Sequence, residues 1–507
     1  MSAAGSADQG LGRDVLLVAA VVVLGAVMSI LDVTVVNVAI NTLAREFQTD
    51  LATIQWVATG YTLALATVIP LSGWAADRFG TKRLYMGSIA LFMIGSALAG
   101  LAWSAESIIL FRVLQGLGGG MIMPAGMTIL TRTAGPARVG RVMSIVGVPM
   151  LLGPILGPIL GGFFVDQVSW RWIFFINVPI GVVALAMAAR ILPRDEPRPT
   201  ERFDALGLLL LSPGLALMIY GLAESSSQGG FGNANVLVPI FSGAVLLALF
   251  VVHGLRSPHP LIDLRLFRNR VFSAATGTLT VFAIGVFGGM LLLPLYLQAV
   301  RGESALASGL LLAPQGIGAM ITMPIAGQLT DRIGPGRIVL PGIALILASF
   351  VALTQVGADT SYWWLGGVLF VMGLGMGASM MPVFSGAMQT LRRAAVARAS
   401  TSLNILQQVG ASIGTAVLAV LLASALSSRL PAGGGEGLGA AAVPDAARER
   451  IAPLMADAFG ATFWWATGFV FVAGLVALLL PRTKPEPVHD PDDPDAAAED
   501  AVPVMMG

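Results

Sequence analysis

The 507-residue chain is 56% apolar and 11% charged, with a mean hydropathy of +0.83. This excludes an ordinary soluble protein, in which charged residues make up about 25%. The formal charge of +1 gives no signal for nucleic acid, and with no cysteine and three histidines, haem, iron–sulfur and Cys/His zinc centres are excluded, so neither a cofactor nor a metal is expected.

About eighteen mostly apolar residues suffice to cross a ~30 Å hydrocarbon core as a helix. Such runs fall near 15–40, 51–74, 84–103, 106–131, 141–165, 172–190 and 204–222. They continue near 236–255, 272–300, 304–329, 338–355, 362–390, 400–425 and 459–480. Their uniform apolarity predicts fourteen helices and not the alternating strands of a barrel. The first ten residues are polar and lead into a full-length run with no clear cleavage site, which reads as a retained first helix. Of the 29 Lys and Arg, Arg45, Arg171, Arg301, Arg429, Arg448 and Arg450 fall on one side, and Arg112 falls inside a run. The others lie at the N-terminus, in the even-to-odd loops or in the C-terminal tail, so both termini are expected to be cytoplasmic.

The expected organisation is a cytoplasmic tail at 1–13, a six-helix bundle at 14–192, a linker at 193–203 and two further helices at 204–255. A second linker follows at 256–270, then a second six-helix bundle at 271–480 with an outer loop at 426–458, and a disordered tail at 481–507. The 256–270 linker alternates apolar and basic residues. It is predicted as a short amphipathic helix on the cytoplasmic surface, with an extended strap as the alternative. The outer loop is Gly/Ala-rich and is predicted to turn helical near 445–458.

One loop is written twice. Pro70, Gly73, Asp77, Arg78, Gly80 and Arg83 recur as Pro324, Gly327, Asp331, Arg332, Gly334 and Arg337, each 254 residues after its counterpart. Two related halves follow from this, with runs seven and eight left over between them. Gly73 and Gly327 are expected to end their helices and to allow close contact with a neighbour. Asp77 and its copy can accept hydrogen bonds at the N-terminus of a neighbouring helix, where the macrodipole favours an anion. Arg78 and Arg83 are expected to stay at the cytoplasmic surface. A contact of this kind between halves would hold the inner side shut. The alternative is a solvated basic loop that only fixes topology, and the strict duplication favours gating.

Asp32 lies within the first run and Arg112 within the fourth, where ionised groups are costly and usually face a partner or a cavity. Counted from the outer ends at 1.5 Å per residue, they sit at depths of ~12 Å and ~9 Å, so an opposed pair is allowed. If that contact loosens in one state, Asp32 can take up and release a proton, and competition with substrate would then give exchange. A permanent structural ion pair is the alternative. The second half lacks the pair, because Val286 and Gly366 stand at the corresponding places.

In the fifth run, Gly153, Gly157 and Gly161 form one i, i+4 row, with Gly162 beside its end, while Pro154 and Pro158 form another. The glycines allow close helix approach, and the prolines bend the helix. A substrate path is expected between the halves. Its candidate lining groups are Asn37, Tyr61 and Gln115 from the first half and Gln298, Gln315, Asn404, Gln407 and Gln408 from the second. Met376 joins them from a methionine-rich run, since thioethers suit promiscuous binding, although plain packing explains methionine in a span as well. Because Asp32 is the one acid clearly inside a span, an obligate dication is disfavoured as cargo.

Five motifs, in order, carry a family resemblance. They are Leu31-Asp-Val-Thr-Val-Val-Asn-Val-Ala39, the Gly73…Asp77-Arg78…Arg83 loop, Arg112-x-x-Gln-Gly116, Gly153-Pro-x-x-Gly-Pro-x-x-Gly-Gly162 and Trp170-Arg-Trp-Ile-Phe-Phe-Ile-Asn-Val-Pro179. With these the chain resembles the fourteen-span drug:proton antiporters of the major facilitator superfamily over nearly its whole length. The resemblance implies an all-α integral membrane protein with the major facilitator fold, two six-helix bundles plus two extra central helices. It also implies export driven by a proton gradient, a Gly/Pro helix that controls the outer side, and a partner for Asp77 near residues 398–400. A monomer in the cell's inner (plasma) membrane is expected, with a small amphipathic substrate, protons and lipid as its partners. A lipid, a secondary metabolite or another endogenous compound is the alternative cargo. An ATP-driven pump is disfavoured by the lack of a Gly-x-x-x-x-Gly-Lys-[Ser/Thr] loop. A membrane enzyme is disfavoured by the lack of clustered acids, histidines or cysteines.

Overall fold

A computed structural model describes residues 12–483 apart from 50, 136–137, 194–202, 228–229, 259, 392–394 and 430–444. Most of the expected terminal tails, of the 193–203 linker and of the outer loop therefore lies outside the described residues. The side chains of Asn37, Pro154 and Pro158 lie outside them too, although each residue sits on a helix.

Helices account for almost everything described, as a chain with so little polar side-chain content requires in lipid. The first group comprises α1 (Arg13–Glu46), α2 (Leu51–Val68), α3 (Leu71–Phe79), α4 (Thr81–Gly100), α5 (Ala105–Ala134), α6 (Val139–Phe163), α7 (Trp172–Phe175) and α8 (Asn177–Ile191). A pair follows, α9 (Ala205–Ser227) and α10 (Ala234–Arg256). The second group comprises α11 (Arg270–Ala299), α12 (Ala305–Leu311), α13 (Ala313–Ile333), α14 (Gly336–Leu353), α15 (Tyr362–Gln389), α16 (Val396–Arg429) and α17 (Asp445–Ala477). Among the described residues twelve helices are long and apolar enough to cross a membrane, or thirteen if the bent pair α2–α3 is one span. The 25-residue α6 lies on the fifth expected run but is not in that count.

Three local expectations need correction. Gly73 and Gly327 lie inside α3 and α13 and do not end them. The ends are set seven residues later by Gly80 (φ 89°) and Gly334 (φ 90°), whose N–H groups reach back to Ala76 O and Thr330 O. Their φ/ψ region is almost closed to residues with a Cβ. Secondly, the 256–270 linker holds a five-residue 3-10 turn at Leu264–Arg268 and, among the described residues, no amphipathic α-helix. Leu261 and Ile262 turn inward and are buried, which anchors this strap by its apolar residues. Thirdly, the helix expected within the outer loop is continuous with the last span, as α17.

The repeat is also imperfect. The first copy breaks at Ile69–Pro70, where α2 and α3 meet at 55°, whereas Pro324 is accommodated inside the continuous α13. Proline removes a backbone donor in either place. In the first copy the Ser72 N–H and hydroxyl both donate to Ile69 O and stabilise the corner.

The α9–α10 pair packs against both groups, with α9 lying against α2 and α16. Trp56 stacks on Tyr220 at 5.8 Å, and the Ser212 hydroxyl donates to Thr67 O. At its start the buried Asp204 carboxylate accepts from Gly207 N (2.8 Å) and Leu261 N (3.0 Å) and meets His253 Nε2 (2.8 Å). A single side chain thereby ties α9, α10 and the strap.

Alanine at Gly80 or Gly334 is expected to cost about 1–3 kcal/mol through backbone strain. Gly367→Ala, where an added methyl meets open space, is the control. A heating series on the purified protein should lower the midpoint for the first two variants and leave the control at the wild-type value.

Candidate functional site

Asp32 sits in the middle of α1, and its side chain is closed from solvent. Burying a carboxylate requires that both oxygens be satisfied. Oδ2 pairs with Arg112 Nη1, and Oδ1 accepts from Gln115 Nε2 at 2.8 Å and from Asn177 Nδ2 at 3.1 Å. Arg112 in turn donates to Gln115 Oε1 (2.7 Å) and to Val57 O (3.1 Å). Its guanidinium lies 4.1 Å from the centroid of the Tyr61 ring, a cation–π arrangement that strengthens when water is excluded. Arg112, Gln115 and Asn177 are each no more than 1% exposed. Five helices therefore supply one charge network: α1, α2, α4, α5 and α8.

The local sequence explains the convergence. Arg112 and Gln115 lie three residues apart on α5 and so share a face. Gly95 of α4 has no room for a Cβ against the Gln115 backbone, which brings α4 and α5 close together. Asn177 opens α8 and also donates to Ser96 Oγ of α4 at 3.0 Å. Asn177 and Ser96 were not singled out from the sequence. The available signal was a lone carboxamide inside the apolar run from Ile173 to Val178, where a polar group requires a partner.

The opposite face of α1 meets the glycine row of α6. A Cβ on Gly153 would strike Ile30, one on Gly157 would strike Thr34, and one on Gly161 would come within 3.1–3.2 Å of Val35 O and Val38. The Thr34 hydroxyl donates to Gly153 O at 3.2 Å. Gly162 lies off this row, with open space where its Cβ would be. Both faces of one α1 turn are thus engaged, the carboxylate to α5 and α8 and the i, i+4 neighbours to α6.

The duplicated loops make crossed contacts between the halves. Asp77 of α3 lies 3.6 Å from Arg132 Nη2 at the end of α5 and 3.7 Å from Arg398 Nε at the start of α16. Asp331 of α13 accepts from Gln389 Nε2 at the end of α15 (3.0 Å) and from Arg141 N at the start of α6 (3.2 Å), with Arg141 Nε 3.7 Å away. Each aspartate therefore joins a helix end in its own half to a helix start in the other. Gly73 permits the first contact, since its Cβ position lies 3.1 Å from Thr401 Oγ1, and the Ser72 and Thr401 hydroxyls are 3.0 Å apart. Arg83, Arg332 and Arg337 are exposed and Arg78 is half-buried.

The residues nominated for substrate do not form one site. Tyr61 and Gln115 belong to the Asp32 network. Gln315 donates to Met376 Sδ at 3.0 Å, and both are buried. Gln298 is exposed near the end of α11, and Gln408 lines a small void against α9. Asn404 and Gln407 come together at a narrow gap between the halves. Met123, Met127, Met380, Met381 and Phe384 complete much of its wall, together with Leu279. Met123 and Met127 were missed, although their i, i+4 spacing places them on one face of α5.

The Major Facilitator Superfamily profile matches residues 22–415. The multidrug resistance protein B homolog of Mycobacterium tuberculosis is 47% identical over 485 residues, covering 92% of this chain and 90% of that protein. The tetracenomycin C resistance and export protein of Streptomyces glaucescens is 33% identical over 421 residues, covering 81% and 76%. In fold, the chain is similar to the crystal structure of the human organic anion transporter MFSD10 (TETRAN). That match has a TM-score of 0.60 at 15% identity over 92% of this chain and 100% of the other.

Gly157→Leu is expected to force α6 off α1, with overpacking worth about 1–3 kcal/mol. Gly162→Leu, which points into open space, should stay within roughly 0.5 kcal/mol of wild type. Yield after detergent extraction and the size-exclusion profile compare the two directly. Equal behaviour of the pair would contradict the packing described.

Proposed function

The chain belongs to the Major Facilitator Superfamily, and from that premise we propose that it is a proton-coupled antiporter that exports small amphipathic compounds by alternating access. It is a multi-pass membrane transporter related to multidrug resistance and export proteins, and not an enzyme. The observation that carries the coupled reading is Asp32, a carboxylate shut away inside the first span and held by partners from helices that can move relative to it. In one state Arg112, Gln115 and Asn177 stabilise the anion. When α5 or α8 shifts, desolvation without those partners favours the protonated acid. Because the same turn of α1 is packed on the glycine row of α6, a change at Asp32 is felt at the Asp331–Arg141 latch that begins α6. Each proton entering across ~100 mV supplies ~2.3 kcal/mol, enough for a concentration ratio of nearly fifty.

Counting α6 and the bent α2–α3 pair gives fourteen spans, with two six-helix bundles flanking α9 and α10. The basic-residue bias supports a reading with both termini and both duplicated loops in the cytoplasm, and a monomer in the plasma membrane is part of the same proposal. With both latches engaged, the conformation described is closed to the cytoplasm. Asp77 and Asp331 act as the paired inner gate, and the α6 glycine row as the outer control. Efflux of drugs is favoured over a lipid or metabolite cargo by the name of the Mycobacterium tuberculosis relative.

Asp32→Asn should leave folded protein that no longer moves substrate up a gradient, with at least a tenfold fall in pH-driven uptake by inverted proteoliposomes. Collapse of expression instead would mark the pair as structural, because the variant leaves Arg112 buried without its counter-charge. The native chain has no cysteine, which allows a second test. A Ser72→Cys/Thr401→Cys pair should crosslink under oxidation, stop transport, and recover with reductant. Full transport in the crosslinked form would exclude the gating role.

A further inference from the structure

We propose that α4 sets how firmly Asp32 holds a proton, with Ser96 as the positioning residue through which it does so. This deepens the coupled-export reading of the same site and rests on it for the use to which the proton is put.

The hydrogen bonds to Asp32 come from α5 and α8, yet two consecutive residues of α4 seat both carboxamides that donate to its Oδ1. Gly95 lies against the Gln115 backbone, where a Cβ would come within 2.7–2.8 Å of Gln115 N, Cα and Cβ. Ser96 Oγ accepts from Asn177 Nδ2 at 3.0 Å and donates to Phe174 O at 2.9 Å. One hydroxyl thus clasps α7 and the start of α8, and Asn177 reaches Asp32 from that clasp at 3.1 Å. The two carboxamides are not held alike. Gln115 is also fixed within the ion pair, since its Oε1 accepts from Arg112 Nη1 at 2.7 Å. Asn177 has Ser96 as its other side-chain partner among the described residues, so its aim at Asp32 depends on α4.

α4 and α8 run antiparallel and are pinned at both ends. At the other end Lys82, two residues past the Gly80 that closes α3, donates to Ala189 O at 2.8 Å and to Leu192 O at 2.7 Å. The C-terminal end of the α8 macrodipole favours a cation at that place. Between the ends Gly181 admits Met93, whose Sδ lies 3.1 Å from the Cβ position. α8 therefore keeps its register on α4. The stretch from Gly80 to Ser96 is ~24 Å long at 1.5 Å per residue, so the α3 latch and the Asn177 clasp stand at opposite ends of one helix. A displacement of α3 is carried along α4 to the clasp. The charged and titratable side chains that face Asp32 from α2, α5, α6, α7 and α8, among the described residues, are Arg112 and Tyr61, and neither is seated on α4. What α4 changes is hydrogen bonding to the carboxylate, and each donor lost removes support from the charged form.

Proton uptake by the purified full chain in unbuffered detergent solution reads this without any cargo. Difference curves between variants cancel the surface groups that they share. Ser96→Ala should move a single-proton step to higher pH by about half a unit or more, roughly threefold in proton affinity. Ser88→Ala is the control, a buried hydroxyl on the same helix that donates to Leu84 O of its own turn, and its curve should coincide with wild type. Asn177→Leu should shift the step at least as far. Adding Ser96→Ala to Asn177→Leu should shift it no further, because a positioning residue acts through the side chain it holds. A Ser96→Ala curve that matches Ser88→Ala, a further shift in the double variant, or a Ser96→Ala protein that is not recovered folded would overturn the proposal. Ethidium uptake by inverted proteoliposomes under a pH gradient is the separate readout of coupled export. The shift in proton binding without such uptake would defeat the export reading and leave the hold of α4 on the proton site standing.

Discussion

An ionised carboxylate in the middle of a span has to be neutralised where it sits, and the first half of the molecule is arranged around that requirement. Asp32 cannot reach water, so a guanidinium and two carboxamides come to it from α5 and α8. Those groups need support in turn. Val57 O and the Tyr61 ring hold Arg112 from α2, and Ser96 orients Asn177 from α4. Removing water strengthens each of these bonds and raises the penalty for leaving any one unmade. The network is therefore costly to break in part.

The two halves share latches and differ in chemistry. Asp77 and Asp331 make the same kind of crossed contact, each reaching a helix start in the opposite half. Asp77 meets Arg132 and Arg398, and Asp331 meets Arg141 and Gln389. The kink at Pro70 sets α3 at 55° to α2, whereas α13 runs unbroken through Pro324. Among the described residues the second half carries no counterpart of the Asp32–Arg112 pair, and Gln315 there donates to Met376 Sδ. The repeat is thus kept in the crossed contacts and lost in the buried ionic network.

Much of the architecture was legible from local patterning. Span positions follow from hydropathy because lipid selects each residue independently of its neighbours in space. The latches were visible as a repeat, and the partner of Asp77 near residue 398 could be placed from family resemblance. Helix ends were less legible. Gly73 and Gly80 are both glycines in one short loop, and only the backbone shows that Gly80 takes the positive φ while Gly73 serves contact with Thr401. The strap at 256–270 was misread because alternating apolar and basic residues fit a surface helix as well as a turn whose Leu261 and Ile262 are buried.

Composition and order by themselves determined that the chain crosses a membrane many times, that it is built from two related halves, and that charge within it is rare and placed. These properties follow from single residues or short runs. Which polar groups meet was decided by tertiary structure alone. Asn177 finds a carboxylate 145 positions away, and Asn404 joins methionines from α5 and α15 that no spacing rule connects to it. Gln298 and Gln315 looked equally suited to a binding path and lie elsewhere. The reason is geometric, since a helix presents its polar residues by rotation and tilt, and both are set by packing against neighbours distant in sequence.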